Sequence, residues 1–508
     1  MGLRGLSHAA ATILLVLLVF LTGFLSGFFF RDLILGLAYA GKFKVEGFSF
    51  FKLKDGRAVL TVNLKNVGSK PIVKVVVHVA DEEPYTALEI SNSTPLQPGE
   101  SRTVKLENGY RLGLTRNYVA GEKYTVSVEA VFHDGSAFSE TFKVTCGGES
   151  RRWFQVPASY YEFVMNYSPY IYVHRNGTPD YSWGRSAFAA SFSIEFLYEA
   201  YHDPQFRLVK DEIYGKIVEL ADWLLTQQCL DEGKLAYGGF KSTETSIYYY
   251  SIDAGRAIPA LLKAYNLTGN AAYLEAAKKA GVFLYNMQHK PYELNLTGQY
   301  YGGFARAVVG DWFGWLDMDV ECLYNLYGLK MLAECDPANR TVYEEMMKDA
   351  AEFLKEGLEG YYMHYSPSDD SWHRAGTCIL DDCYSYALYG LYKYEGYSET
   401  VKTVYEQINS IGPSPEYPEY NASICWAGYI DVVDWKPACH YYDVVTSGIL
   451  WEIRKNHDPG SLLASLSVID EDPETWMVWG VTYDFKPLPN LPYAMATVCW
   501  ISILYPNW

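Results

Sequence analysis

Acidic and aromatic residues recur together in the second half of the chain, a combination suited to chemistry on sugars. The densest group runs from Asp311 to Asp319 and contains Trp312 and Trp315. Glycoside hydrolysis needs a carboxylic acid of raised pKa that protonates the leaving oxygen, and a second carboxylate that activates water or stabilises oxocarbenium charge. The candidate residues for these two roles are Asp253, Asp319 and Asp382. Aromatic rings beside them would form the walls of a saccharide cleft.

The same segments could instead serve a uronate lyase or a C5-epimerase. Such an enzyme needs a base at C5, often Tyr or His, and a cation that neutralises the sugar carboxylate. Tyr250, Tyr442 and His440 could be the base, and Arg185 the cation. Tyr250 therefore joins the catalytic candidates. The candidate substrate-binding residues are Trp183, Arg185, Tyr249, Trp312, Trp315, Asp317, Tyr442 and Asp443.

A purely structural role competes with each of these assignments. Asp is a preferred helix N-cap, because its carboxylate accepts the free N–H groups of the first turn and favours the positive end of the helix dipole. Capping alone could account for Asp253, Asp382 or Asp443, and ordinary packing for tyrosines 248–250. The prediction of a site therefore depends on the acids meeting at one place.

The elements that must position these residues are helices. From residue 151 onward apolar residues recur at helical spacing, between turns rich in Gly, Pro and Asn. Helices are predicted near residues 186–202, 210–228, 253–266, 270–288, 318–335, 340–358, 382–395, 398–410, 443–456 and 493–505. They pair into hairpins whose first helices recur roughly every 60 residues, a repeat in which each hairpin covers its neighbour. Six such hairpins could close into a ring with the acids at one mouth.

The phrase Asp253-Ala-Gly-Arg-Ala-Ile-Pro-Ala-Leu-Leu-Lys-Ala-Tyr-Asn-Leu-Thr-Gly-Asn-Ala-Ala-Tyr-Leu-Glu-Ala-Ala resembles the (α/α)6 toroids of six-hairpin glycosidases, polysaccharide lyases and glucuronyl C5-epimerases. The resemblance covers about 340 residues and implies that residues 149–508 form an (α/α)6 toroid that acts on polysaccharide. It does not select the reaction, because these families share the scaffold and differ in their catalytic residues. The turns at Gly238-Gly-Phe240 and Gly302-Gly-Phe304 fit repeat architecture and lack the spacing of a phosphate loop.

Residues 43–148 alternate between apolar and polar positions, which predicts a β domain. The clearest alternation lies at residues 58–64, 72–79, 124–132 and 137–144, and about seven short strands separated by Gly and Pro turns indicate an Ig-like β-sandwich. Leu64-Lys-Asn-Val-Gly-Ser-Lys-Pro71 and Leu96-Gln-Pro-Gly-Glu100 resemble the globular domain of archaeal pilins and surface adhesins. The domain carries no catalytic cluster.

The first 42 residues are predicted to anchor the chain. Ala9 to Phe30 contains no charged residue and is long enough for a helix to cross roughly 30 Å of hydrocarbon. Arg4-Gly5-Leu6-Ser7, directly before it, resembles the class III signal of archaeal type IV pilins, which implies cleavage after Gly5 and a retained helix. Ala10 stands where many pilins carry Glu, and a plain signal anchor is the alternative. Either reading places the rest of the chain outside the cell, membrane-anchored or in a pilus-like filament.

The composition of the chain limits the classes of partner that it could bind. The 508 residues carry 42 Lys plus Arg against 60 Asp plus Glu, a formal net charge of -18, which disfavours nucleic acid. Metal-ligand spacing is missing, so no cofactor is predicted, although calcium at the acidic rim stays open. Some disulfides are expected among the 9 Cys, with Cys378–Cys383 and Cys425–Cys439 the nearest plausible pairs. The Asn-X-Ser/Thr sequences, which predict an extracellular glycoprotein, lie at Asn92, Asn166, Asn176, Asn266, Asn295, Asn339 and Asn421.

Together these features predict a surface-tethered enzyme that acts on polysaccharide, as a glycosidase or as a uronate lyase or epimerase. The alternative is a non-catalytic adhesin or filament subunit, alone or as a homo-oligomer, whose toroid binds glycans. An isoprenoid-cyclase-like toroid would need an aspartate-rich motif in an apolar cavity, and Asp381-Asp382-Cys-Tyr-Ser matches that poorly. The separation of the carboxyl groups in an open cleft would distinguish hydrolysis from binding alone.

Overall fold

The computed structural model of the chain describes residue 22 and residues 41–54, 56–148, 158–171, 173, 178–179, 181, 184–360, 362–373, 382–410 and 451–458. These residues fall into two units, one up to residue 148 and one from residue 158 onward. Within the described ranges, none of the helices has both the length and the apolar character needed to cross a bilayer. The predicted anchor from Ala9 to Phe30 lies outside them except for residue 22.

The first unit is built from two sheets that share one apolar core. In chain order its strands are β1 (Phe43–Lys52), β2 (Ala58–Asn66), β3 (Ile72–Val79), β4 (Tyr85–Thr86), β5 (Ser101–Asn108), β6 (Gly113–Leu114), β7 (Lys123–Phe132), β8 (Ala137–Thr145) and β9 (Gly147–Gly148). One sheet has the order β6-β5-β2-β1-β9 and the other β4-β3-β7-β8. Val75, Val77 and Val79 of β3 are buried in that core while the residues between them are not, as the period-2 geometry of a strand requires.

The second unit is mainly helical. In chain order its helices are α1 (Ala158–Tyr167), α2 (Ala187–His202), α3 (Lys210–Gln227), α4 (Ser251–Thr268), α5 (Ala271–Glu293), α6 (Asn325–Cys335), α7 (Arg340–Glu359), α8 (Asp382–Glu395), α9 (Glu399–Ser410) and α10 (Trp451–His457). Helices α2 to α9 form four hairpins. Their first helices, α2, α4, α6 and α8, pack side by side in chain order, and each second helix packs against its own first helix. This is the repeat that the periodicity predicts. The hairpins predicted from Asp443 and Tyr493 lie outside the described residues apart from α10.

Small residues let the first helices approach closely. A Cβ placed on Gly255 of α4 would lie 1.8 Å from Asn325 Oδ1 at the start of α6, and one on Gly328 would lie 2.8 Å from the Gly255 carbonyl oxygen. A Cβ on Gly390 of α8 would lie 2.0 Å from the Leu323 carbonyl oxygen. Because real Cβ atoms do not approach other atoms that closely, only glycine fits these contacts. The start of α4, which carries Asp253, is thereby held against α6.

A repeated clamp joins successive hairpins. Gln228, at the end of α3, donates from Nε2 to the carbonyls of Gly238 and Ala276, at 2.9 and 2.8 Å. Gln288 in α5 makes the corresponding bonds to Gly302 and Met346, at 2.6 and 3.0 Å. Each glutamine thus ties its own Gly-Gly turn to the next second helix. The predicted assignment of these turns to repeat architecture agrees with these bonds.

Replacing Gly238 tests how far this clamp supports the helical unit. Gly238 has φ +84, and an added Cβ would lie 1.9 Å from the Lys279 carbonyl oxygen. We expect Gly238→Ala to lower stability by about 2–4 kcal/mol, because left-handed strain and a backbone clash add. Thermal unfolding of the full chain, followed by circular dichroism, measures the loss. In the control Gly233→Ala the nearest atom is Asp231 Oδ1 at 3.4 Å, so its Tm should hardly move; equal Tm values for both variants would contradict the expectation.

Candidate functional site

A five-stranded sheet lies where the first helices begin. Its strands are β10 (Tyr249–Tyr250), β11 (Ala305–Val309), β12 (Trp312–Asp319), β13 (His364–Ser366) and β14 (Ser371–His373), in the order β10-β11-β12-β13-β14. β10 leads directly into α4, and β12 leads through a 3-10 helix, Val320–Tyr324, into α6. An isolated bridge between Ser186 and Thr243 joins the start of α2 to the same region. We call this end of the helical unit the mouth.

The aromatic and acidic segment before α6 is a strand and not a helix start. The sequence predicts a helix over 318–335, whereas β12 extends to Asp319 and α6 begins only at Asn325. Aromatic residues favour strands, because their side chains pack well on a half-buried pleated surface. The pairing of β11 with β12 is irregular at two places, between Ala305 and Ala307 and between Ala307 and Val308. Such bulges redirect side chains and are frequent beside active sites.

Asp319 and Arg306 form the first charged pair at the mouth. Arg306 Nε donates to Asp319 Oδ2 at 2.5 Å, and the Asp319 side chain is 13% exposed. Asp319 Oδ1 is buried and has no hydrogen-bond partner among the described residues. Burial raises the pKa of Asp319 to about 7, against the lowering effect of Arg306. Asp319 precedes the 3-10 helix, yet its side chain makes no capping bond. At neutral pH this carboxyl group can therefore hold a proton and release it.

Asp253 belongs to a second, more deeply buried group with Arg256 and Glu321. Asp253 Oδ1 lies 3.6 Å from Arg256 Nη1, and Arg256 Nη2 donates to Glu321 Oε1. The N-cap of α4 is Tyr250, and no side chain caps this helix, so capping does not explain Asp253. Burial raises the pKa of Asp253 to about 6, with Arg256 acting in the opposite direction. The carboxyl groups of Asp253 and Asp319 both interact with Glu321, which places the two charged groups in one electrostatic cluster.

An aromatic wall stands beside these acids. The rings of Tyr248 and Trp315 stack with centroids 4.9 Å apart and planes 7° apart, and Tyr250 lies 5.8 Å from Trp315. The Arg306 guanidinium lies 5.9 Å from the Trp315 ring. Trp312 is 59% exposed and Trp315 is 39% exposed. Large exposed rings next to buried carboxyl groups are suited to binding a flat, amphipathic ligand.

Tyr250 is the predicted catalytic residue that touches both parts of the site. Burial raises the pKa of its hydroxyl, which also interacts with Asp253, Arg306 and Asp319. Asp382 begins α8, and nothing further of its side chain is described. The structure therefore brings Asp253, Asp319 and Tyr250 together. It leaves the position of the Asp382 carboxyl group a prediction.

The predicted substrate-binding residues divide into three groups. Trp312, Trp315 and Asp317 lie on β12 at the mouth, where Asp317 interacts with Asp319 and Arg306. Arg185 donates to Glu244 Oε2 from Nε and Nη2, at 2.8 Å each. Tyr249 interacts with Cys229, whereas its neighbours Tyr248 and Tyr250 contact Trp315. Trp183, Tyr442 and Asp443 lie outside the described residues, and so does His440, the alternative base.

Several residues of the site were not predicted, and their signals differ. Arg256 stands three positions after Asp253 on a helix, a spacing at which side chains meet, so the pair could have been found. Arg306 reaches Asp319 only because β11 pairs with β12, and His364 lies opposite Asp319 only because β12 pairs with β13. The first pairing is a hairpin with Gly310-Asp311 as its two-residue turn, a local signal in the sequence. The second joins residues 45 positions apart and leaves no local pattern. Burial lowers the pKa of His364.

The remaining sequence expectations concern metals, thiols and sequons. In the part of the chain that the structure describes, no group of three or more His, Cys, Asp or Glu residues could hold a metal ion. Cys146, Cys229, Cys322 and Cys335 are free thiols there, and the predicted disulfide partners lie outside the described side chains. The sequon residues that are described and exposed are Asn92, Asn166, Asn266, Asn295 and Asn339, whereas Asn176 and Asn421 lie outside the described residues.

Comparison with known proteins gives weak structural likenesses only. No family model and no curated protein matches the chain. A family 76 glycoside hydrolase from a bovine Bacteroides thetaiotaomicron strain aligns at a TM-score of 0.43 and 12% identity, over 91% of this chain and 98% of that one. Cellobiose 2-epimerase from Spirochaeta thermophila aligns at 0.47 and 13%, over 68% and 92%. An alpha-amylase from Clostridium perfringens aligns at 0.44 and 13%, over 68% and 96%. Likenesses of this strength assign no reaction and no catalytic residue to the chain.

Proposed function

We propose that this protein is a carbohydrate-active enzyme, a glycoside hydrolase in the first place, whose hairpins close into an (α/α)6 toroid around the mouth. The observation that carries the proposal is Asp319, a buried carboxyl group with a pKa near 7 and one unpartnered oxygen, beside an exposed aromatic wall. A proton donor for a glycosidic oxygen must be protonated near neutral pH and must keep an oxygen that no internal hydrogen bond occupies.

Each group in the cluster has a defined task in this reaction. Asp319 donates its proton to the glycosidic oxygen, and Arg306 holds the other oxygen of the same carboxyl group. Glu321, whose side chain is 18% exposed and paired with Arg256, supplies the second carboxylate that stabilises oxocarbenium charge or activates water. Asp253, which is almost fully buried, holds Arg256 in position through their ion pair. Trp312 and Trp315 hold the sugar rings.

A uronate lyase or C5-epimerase is the second candidate, and Tyr250 is the observation in its favour. The Tyr250 hydroxyl lies in the same cluster as Arg306, so a base and a cation are both present. A tyrosine base, however, needs a lowered pKa to accept a proton near neutral pH, and burial raises the pKa of Tyr250. The protonated acid at Asp319 is better matched to hydrolysis than this tyrosine is to proton abstraction.

The N-terminal sequence supports a location of this activity at the cell surface. The uncharged run from Ala9 to Phe30 and the class III-like signal before it would tether the chain, as a plain anchor or in a pilus-like filament. In the sequence, the β domain lies between the predicted anchor and the helical unit, and the exposed sequons would carry glycans. Detection of the intact chain in membranes or filaments, and of its N-terminus by mass spectrometry, tests this part.

The experiment that tests the function incubates the full chain with a panel of polysaccharides and follows three readouts together. New reducing ends without ultraviolet absorbance indicate hydrolysis, and new ends with the absorbance of unsaturated uronate indicate a lyase. Solvent deuterium incorporated into an uncleaved uronate polymer indicates an epimerase. Binding without any of these products would support the non-catalytic adhesin and contradict the proposal.

Loss of the exposed tryptophan should weaken binding of the sugar. We expect Trp312→Ala to raise KM, and the Kd in affinity electrophoresis, about ten- to a hundredfold, because a large ring no longer covers apolar sugar faces. The turnover number should change less, since Trp312 takes no part in the proposed proton transfer. Tyr214→Ala is the matched control, because Tyr214 is 39% exposed at the start of α3, at the end opposite the mouth. Equal effects of both variants would show that the wall binds no sugar.

A further inference from the structure

Two histidines continue the row of side chains that starts at Asp319. Asp319 of β12 is directly paired with His364 of β13, and His364 is paired in turn with His373 of β14. Side chains of directly paired residues stand on the same face of a sheet, with Cβ atoms about 4.5–5.5 Å apart. His364 and His373, which we call the histidine pair, therefore stand next to the proposed proton donor.

The opposite face of β13 and β14 packs against α7. Tyr365 and Trp372 alternate with the two histidines along these strands, and their rings lie 5.1 and 5.2 Å from the ring of Phe353 in α7. A Cβ placed on Gly357 of α7 would lie 2.4 Å from the Trp372 ring. Successive side chains of a strand point to opposite faces. The packing of Tyr365 and Trp372 on α7 thus turns the histidine pair away from that helix.

The histidine pair keeps polar ring edges for a ligand. The two rings stack with centroids 5.2 Å apart and planes 11° apart. His373 Nε2 lies 3.0 Å from both Asp369 Oδ1 and Ser371 Oγ, which fix this ring. Among the described residues, His373 Nδ1 and both ring nitrogens of His364 have no hydrogen-bond partner. The His373 side chain is 37% exposed, so a bound molecule can reach it.

The aromatic wall and the histidine pair lie on opposite sides of Asp319. The Arg306 guanidinium of β11 contacts both the Trp315 ring, at 5.9 Å, and Asp319 Oδ2, at 2.5 Å. Trp315 in turn contacts Tyr250 of β10, whereas β13 and β14 adjoin β12 on its other side. Neighbouring strands stand about 4.8 Å apart, so β10 and β14, four spacings apart, are separated by about 19 Å. A ligand that contacts both groups must be longer than one sugar ring.

We propose that the histidine pair is a second saccharide-binding subsite of the mouth, so that a polysaccharide chain lies across the sheet with sugar units on both sides of Asp319. The inference rests on the proposed function and extends its site beyond the aromatic wall. A neutral imidazole offers one N–H donor and one acceptor nitrogen, and sugar hydroxyls satisfy both. Burial lowers the pKa of His364, which keeps this ring neutral near neutral pH.

The test maps how many sugar units the mouth holds. Oligosaccharides of two to six units are prepared from each polymer that the panel shows to be cleaved, and their reducing ends are labelled with 18O. The position of the cleaved bond and kcat/KM are then measured for wild type, His364→Ala, His373→Ala and His202→Ala. His202→Ala is the matched control, because His202 is exposed and is the last residue of α2, at the end opposite the mouth.

For wild type we expect kcat/KM to rise with length beyond two units, as sugar units fill both sides of Asp319. Each variant of the histidine pair should lower kcat/KM for the longest oligosaccharide about three- to tenfold, the effect of one or two lost hydrogen bonds. The loss should be smaller for the shortest oligosaccharide, and the preferred cleavage point in the longer ones should move to a different bond. His202→Ala should match wild type in both measurements.

The position of the cleaved bond distinguishes a lost subsite from a damaged fold. A variant that merely contains less active protein loses kcat/KM equally at every length and keeps the wild-type cleavage point. Such equal losses in both variants, or a wild type whose kcat/KM does not rise beyond two units, overturn the second subsite while hydrolysis stands. Failure of wild type to cleave any polymer overturns the proposed function and the inference with it.

Discussion

Asp319→Asn should lower turnover strongly and yet stabilise the protein above neutral pH. The amide keeps the shape of the carboxyl group but cannot donate a proton to a glycosidic oxygen. General acid catalysis contributes on the order of a hundred- to ten-thousandfold, so kcat should fall by that factor. In wild type, activity should decline as pH rises through about 7, where Asp319 loses its proton. Substrates with good leaving groups, which need little protonation, should be affected least.

The stability effect follows from the raised pKa of Asp319. The folded state holds this proton to about pH 7, whereas an Asp in the unfolded chain releases it near pH 4. The folded protein thus binds more protons between these values, and the contribution of Asp319 to stability falls as pH rises through this window. Above it, the buried carboxylate destabilises the fold on the order of a few kcal/mol. Asn carries no charge, so the variant should gain most at the alkaline end.

Thermal unfolding at pH 5 and pH 8 measures this difference. The Tm of Asp319→Asn minus that of wild type should be larger at pH 8 than at pH 5. Asp311→Asn is the control, because Asp311 is exposed, and its Tm difference should stay flat. If Asp319→Asn were instead the less stable protein at pH 8, the ion pair with Arg306 would outweigh the burial of the charge, and Asp319 would be a structural residue.

Arg256→Met should be the most destabilising single change in the cluster. The Arg256 side chain is 9% exposed and neutralises Asp253, at 4%, and Glu321, at 18%. Removing one partner of a buried ion pair costs about 3–5 kcal/mol, because an unpaired charge stays behind. Met keeps much of the volume beside Tyr386, whose ring lies 4.4 Å from the guanidinium, so the loss is mainly electrostatic. It should shrink at pH 5, where the Asp253 carboxyl group, with its pKa raised to about 6, becomes neutral.

Arg185→Met is the matched control for this change. Arg185 and Glu244 are 40% and 29% exposed, and exposed pairs contribute less than about 1 kcal/mol. Denaturant unfolding of both variants at pH 5 and pH 8 gives the comparison. A similar loss of stability for the two variants, or a loss for Arg256→Met that does not depend on pH, would contradict this expectation. Packing and not charge would then hold Arg256 in place.

Much of the helical unit could be predicted from the sequence, because helices and hairpin repeats are local patterns. The helix predicted near 382–395 and the observed α8 (Asp382–Glu395) have the same bounds. The sandwich-like alternation also marks β2, β3, β7 and β8. What the sequence could not supply is pairing at a distance. In the sheet at the mouth, the β10–β11 and β12–β13 pairings join residues 45 to 59 positions apart. Its short strands carry no repeated alternation, so Asp311–Asp319 could be mistaken for the start of a helix.

The site could be predicted only in part, because residue types and spacing are visible in the sequence whereas contacts between distant segments are not. The types and spacing of Asp253, Asp319 and Trp312 indicate acids and rings at one end of a ring of hairpins. Whether an aspartate caps a helix or keeps a proton depends on its burial and its partners, which are set by the fold. The position of Asp253 in the first turn of α4 does not show whether its carboxyl group caps the helix or belongs to a site. Its ion pair with Arg256, and the pairing of Arg306 with Asp319, make that distinction.

The sheet at the mouth has a consequence for how the protein moves. Its ladder hydrogen bonds link the approaches to α4, α6 and α8, so these approaches cannot fluctuate as three separate loops. Opening one of them breaks bonds shared with its neighbour, and amide hydrogen exchange along β10, β11, β12 and β13 should rise or fall in concert. If the protein cleaves a polymer as proposed, Asp319 and Arg306, which lie on paired strands of this sheet, would keep their relative positions as the sheet moves.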